Sequence, residues 1–132
     1  MKNHEYQQLC LKTESKLTPE QIQARFTPET VRALHAAIGL ATESGELLDQ
    51  LKKHLFYGKP LDRVNLIEEA GDLMWYLSVL LDFLLEGQED QFEFVQFINI
   101  AKLHKRYGGS FDAIKATQRD LSAEREVLEK NK

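Results

Sequence analysis

Proline occurs at only three positions, 19, 28 and 60, so two long stretches carry nothing stronger than an isolated glycine against helix formation. Proline removes a backbone donor and ends a helix outright, whereas a lone glycine only weakens one. The stretches between Pro28 and Gly58, and between Pro60 and Gly87, therefore read as long helices. Local punctuation agrees. Thr18-Pro19-Glu20-Gln21 has the form of a capping box and opens a short helix or turn. Thr27-Pro28-Glu29 starts the first long helix, which runs to about Phe56 and ends at Gly58-Lys59-Pro60. A second runs from about Asp62 to Glu86 and stops at Gly87. A third covers about Gln91–Arg106 before Gly108-Gly109, and Ser110 caps a fourth from Phe111 to about Glu129. No β-hairpin signal or internal repeat competes. The expectation is an all-α, four-helix-bundle-like domain over 27–132, preceded by an extension over 1–26.

Composition narrows the partners. A chain of 132 residues, 42% hydrophobic and 29% charged, has the size and balance of one globular domain. Its net charge of −4, with no long basic run, argues against a nucleic-acid polymer or an anionic membrane. Cys10 is the only cysteine, which excludes an intramolecular disulfide and a Cys-rich zinc site and fits a reducing, cytoplasmic setting. Residues 1–16 are polar and read as no signal peptide. The most apolar stretch, Leu73–Leu85, is 13 residues long and contains Ser78 and Asp82, short of the roughly 20 needed to span a bilayer. It reads as a helix packed between others, or at a subunit interface.

On the first long helix Val31, Leu34, Ile38, Ala41, Leu48 and Leu55 share one face, and His35, Gly39, Glu43, Glu46, Gln50 and Lys53 lie on another. A solvated polar face is the plain reading. Gly39 weighs against it, because a mid-helix glycine costs about 1 kcal/mol against alanine unless something must approach closely. The second long helix carries a matching stripe of Asn65, Glu69, Asp72 and Tyr76 beside an apolar face of Leu66, Ala70, Leu73, Leu77 and Leu80. Glu43-x-x-Glu46 and Glu69-x-x-Asp72 have the same i, i+3 spacing, which aims both members of a pair the same way. Two antiparallel neighbours can bring the pairs face to face, where converging carboxylates need a counter-ion. Oxygen-only donors suit Mg²⁺, or Mn²⁺, better than zinc or copper. On the third helix Asn99, Lys102 and Arg106 share a face. They are either solvated surface or, with Lys53, cations for phosphate and an amide for a base or sugar. Trp75 is expected in the core.

These residues carry a resemblance. The run Gly39-Leu-Ala-Thr-Glu43-Ser-Gly-Glu46, then Glu68-Glu69-Ala-Gly-Asp72-Leu-Met-Trp-Tyr76, and the later Asn99-Ile-Ala-Lys102-Leu-His-Lys-Arg106-Tyr107, resemble the MazG-like all-α nucleoside triphosphate pyrophosphatases over roughly residues 31–111. The resemblance implies Glu43, Glu46, Glu69 and Asp72 as Mg²⁺ ligands and catalytic acids. It also implies hydrolysis of a nucleoside triphosphate to the monophosphate and pyrophosphate, and a homodimer or homotetramer. Lys53, Lys102 and Arg106 would take phosphate charge, and His35, Tyr76 and Asn99 would contact the nucleoside. One position departs from the pattern: Thr42 stands where many members have the first Glu of a pair. That departure supports a rival reading, a non-catalytic helical oligomer that binds nucleotide or protein. A ferritin-like di-iron bundle would need Glu-x-x-His pairs, and His35, His54 and His104 do not follow a Glu by three.

Overall fold

The computed structural model describes residues 2–130, which form seven helices and no strand. The order is α1 (Asn3–Lys12), α2 (Pro19–Arg25), α3 (Pro28–Tyr57), α4 (Arg63–Leu84), α5 (Gln91–Tyr107), α6 (Ala113–Thr117) and α7 (Leu121–Lys130). The fold is all-α, as expected. At 1.5 Å per residue α3 is about 45 Å long and α4 about 33 Å.

Capping side chains set most boundaries. Thr18 accepts a hydrogen bond from the Gln21 amide while Gln21 accepts one from the Thr18 amide, so the expected capping box is formed. Thr27 caps α3 through the Thr30 amide. Gly58 ends α3 in the left-handed region at φ 67°, and the His54 ring meets the Lys59 carbonyl at 2.8 Å across the turn. Asp62 opens α4 by accepting from the amides of Val64 and Asn65. Gly108, at φ 70°, closes α5.

Within the N-terminal extension, residues 3–12 also form a helix. One expectation is corrected. The single fourth helix capped by Ser110 is instead two: Asp112 caps α6 through the amides of Ile114 and Lys115, and Asp120 restarts the chain into α7 through the Ala123 amide. Two short acidic side chains able to bind free amides divide one helix into two.

Helices α3 and α4 form a long antiparallel hairpin, and this is the main packing interface of the chain. Arg32 near the start of α3 meets Asp82 near the end of α4 at 2.5 Å. Midway, the Tyr76 ring lies against Gly39: a Cβ there would come within 2.2 Å of the ring. Gly39 and Ala36 are buried, so α3 meets α4 along its small-residue side rather than along its apolar stripe. That stripe and part of α4 remain uncovered, with Leu48, Leu55, Val64 and Ile67 between 67 and 78% exposed. Trp75, expected in the core, is 56% exposed. Helix α7 packs on α5, and α5 touches α4 only lightly. No helix among the described residues is long and apolar enough to cross a membrane.

Candidate metal centre

The site begins with helix register. With α3 and α4 antiparallel and Gly39 opposite Tyr76, Glu43 on α3 falls beside Glu69 and Asp72 on α4. One carboxylate oxygen from each of Glu43, Glu69 and Asp72 lies within 4.8 Å of the others. Glu69 is only 5% exposed, Glu43 is half-buried and Asp72 opens to solvent, so the group grades from interior to surface. Three carboxylates this close repel one another, and none faces a Lys or Arg in an ion pair among the described residues.

Glu46 does not join them. It lies one turn farther along α3 and is exposed. The same i, i+3 spacing keeps Glu69 with Asp72 in the group but leaves Glu46 outside it. Three of the four expected carboxylates thus converge. Thr42 supplies no acid; its hydroxyl lies 3.0 Å from the Gly39 carbonyl and 3.2 Å from Glu43 Oε1, and its one proton serves either.

A divalent cation fits this donor set. The donors are hard oxygens carrying up to three negative charges, one of them nearly removed from water, and a buried carboxylate without a cation is costly. Beside Glu69 a buried polar atom lacks a partner. Asn65 Nδ2 donates to Glu69 Oε1 at 2.9 Å, and Asn65 Oδ1 is buried with no hydrogen bond.

The other expected site residues are placed less evenly. His35 and Tyr76 meet edge to face, ring centres 5.7 Å apart, and Trp75 meets Tyr76 at 4.9 Å. Lys53 pairs with Asp49 at 2.6 Å, and Lys52 binds the other oxygen of the same carboxylate. Hydrogen bonds from Lys52 and then Lys53 hold Asp49 down to about 2. Asn99 is exposed and Lys102 half-buried, and neither forms a hydrogen bond or ion pair among the described residues. Arg106 is differently employed. Its Nε and Nη2 grip Glu124 at 2.8 and 2.6 Å, with Arg119 also on Glu124 at 2.7 Å. Glu124 is buried, and Arg106 followed by Arg119 lowers its carboxyl to about 2. Arg106, expected as a cation for phosphate, thus has its fork on a carboxylate bidentately. Eighteen residues separate these partners, beyond the reach of any local pattern. The Asn65–Glu69 bond, at i, i+4 on one helix, did carry a sequence signal.

Fold and donor set together define an all-α protein with an acidic, cation-ready centre at the middle of a helical hairpin. The family model of the MazG nucleotide pyrophosphohydrolase domain matches residues 29–111, from the start of α3 to just beyond α5, and the chain belongs to that family. The match excludes α1, α2, α6 and α7. No curated protein and no solved structure matches the chain. Members of this family typically depend on a divalent metal, in keeping with the Glu43, Glu69 and Asp72 group.

Proposed function

We propose that the protein is a Mg²⁺-dependent nucleoside triphosphate pyrophosphohydrolase, converting an NTP or dNTP and water to the monophosphate and pyrophosphate. The observation that carries this reading is the convergence of Glu43, Glu69 and Asp72 inside the segment that matches the family. When bound there, a divalent cation neutralises phosphate charge and lowers the pKa of water for attack on phosphorus. Glu43, Glu69 and Asp72 would hold Mg²⁺, or Mn²⁺ in its place, through hard carboxylate oxygens.

The hairpin orders the remaining residues along its length. His35 and Tyr76 lie on the α3 N-terminal side of the carboxylates; His35 precedes Glu43 by eight residues, about 12 Å along the helix. Lys53 lies about 15 Å the other way. In this reading the nucleoside contacts His35 and Tyr76, with Asn99 available for a base or sugar. The departing pyrophosphate extends toward Lys53, whose surface pair with Asp49 is weak enough to exchange. Lys102, free of an ion-pair partner among the described residues, adds a second cation. Glu46, one turn from Glu43, is outside the resting donor group.

The chain works as a homo-oligomer, dimer or tetramer. Its accessible surface is 10743 Å² at 15.3 kDa, against roughly 7,100 Å² for a folded monomer of that mass. Such an excess is on the scale of an obligate subunit interface.

The rival reading, a nucleotide-binding oligomer without turnover, draws on Thr42 and on the exposed Glu46. One experiment separates the two. Incubating the full chain with common and modified NTPs and dNTPs plus Mg²⁺ is expected to release pyrophosphate from at least one. Glu69→Gln and Asp72→Asn should each lower that rate at least about 100-fold, as loss of a metal ligand or charge-stabilising group does. Helix content by circular dichroism should be retained. No pyrophosphate from any triphosphate with Mg²⁺ or Mn²⁺ would leave the binding reading standing.

A further inference from the structure

Asn65 stands in the first turn of α4, where Asp62 fixes its backbone amide. Its side chain is the one hydrogen-bonding partner of the buried Glu69 among the described residues, through Nδ2 at 2.9 Å. That bond settles the orientation of the amide: turned over, it would set an oxygen against a carboxylate oxygen, two acceptors with no proton between them. Oδ1 is therefore the atom left buried without a donor. A buried amide oxygen without a hydrogen bond costs on the order of 1–3 kcal/mol, and such an atom in a folded chain calls for an occupant. Glu69, to which the same amide is bonded, belongs to the three-carboxylate group, and no Lys, Arg or hydroxyl among the described residues reaches Oδ1.

We propose that Asn65 is a member of the divalent-cation site. Its Nδ2 holds Glu69 Oε1 in place, and its Oδ1 supplies a neutral oxygen to the coordination or hydration shell of the cation. This rests on the metal-site reading above and adds a residue to it. The assignment fits the chemistry of the donors: a fourth carboxylate would add repulsion, whereas an amide oxygen adds a hard ligand without charge. Asn65 is thereby a positioning residue for Glu69 as well as an oxygen donor.

The test titrates the full chain with MnCl₂ alone, following free Mn²⁺ by electron paramagnetic resonance, with no nucleotide present. Asn65→Leu removes both the donor and the oxygen and is expected to weaken Mn²⁺ binding at least tenfold. Asn65→Asp keeps an oxygen at the Oδ1 position but loses the Nδ2 donor to Glu69, and is expected to bind more tightly than Asn65→Leu. Circular dichroism checks that both variants keep their helix content. Should Asn65→Leu bind within twofold of the wild type, or Asn65→Asp be as weak as Asn65→Leu, the inference is overturned while the three-carboxylate site stands. If the wild type itself takes up no Mn²⁺, the metal-site reading fails and Asn65 with it.

Discussion

Gly39 and Tyr76 show how one missing methyl group sets the site. A Cβ at Gly39 would lie 2.2 to 2.4 Å from three ring atoms of Tyr76, closer than carbon atoms approach. The ring is held on its other sides by His35 and Trp75, so it has little room to turn. Gly39→Ala gains about 1 kcal/mol of helix propensity, but overpacking of this kind typically costs about 1–3 kcal/mol. The variant is expected to melt below the wild type. It should also bind Mn²⁺ less well, because pushing α4 away separates Glu43 from Glu69 and Asp72. Gly45, which has nothing within 4 Å, supplies the contrast: Gly45→Ala should raise stability by up to about 1 kcal/mol. Thermal melts of the two variants check both signs, and equal behaviour would remove the close approach of Tyr76 from the account.

Among the helices, α7 is attached by charge. Glu124 on α7 is held by Arg106 of α5 and by Arg119 just before α7. Its carboxyl is lowered from 4.5 to about 2. A folded-state value below the unfolded one means that the contribution is complete above about pH 4.5 and is lost as pH falls toward 2. Asp49 is lowered to about 2 by Lys52 and Lys53 and acts in the same direction, at the surface. The melting temperature is thus expected to fall between pH 5 and pH 3. Glu124→Gln, which leaves two guanidinium groups without an anion, should melt lower at pH 7 and show a shallower fall with acid, the remainder belonging to Asp49 and to the lowered carboxyls of Glu20, Glu29 and Asp112. An unchanged pH profile in Glu124→Gln would mean that the pair does not hold α7 in place.

On the scale of the molecule, the chain is short of interior. Ala36 and Leu81 are its only fully buried apolar residues among those described, and the apolar side of α3 faces outward. A hairpin of two helices, 30 and 22 residues long, with such faces buries them by pairing. Sedimentation equilibrium is expected to return a dimer or larger assembly. Leu48→Asp together with Ile67→Asp, both placed on uncovered surface, should shift it toward single chains of lower thermal stability. A monomeric wild type at micromolar concentration would contradict the proposal.

Much of this was legible in the residues themselves. Pro28, Gly58, Asp62 and Gly108 mark helix ends through local backbone chemistry, and their boundaries hold to within a residue or two. The i, i+3 spacing of Glu69 and Asp72 was local in the same way, but the matching spacing of Glu43 and Glu46 could not say that only Glu43 would lie beside them. Asp112 and Asp120 were equally local signals, yet the run from Ser110 read as one helix. What only the tertiary structure decided was which faces meet. Small residues at Ala36 and Gly39 drew α4 onto that side of α3, leaving the apolar stripe open and Glu46 outside the group. Glu124 captured Arg106 across 18 residues. Such choices depend on how closely two backbones can approach and on which distant charge arrives first, and no periodicity within a single helix encodes either.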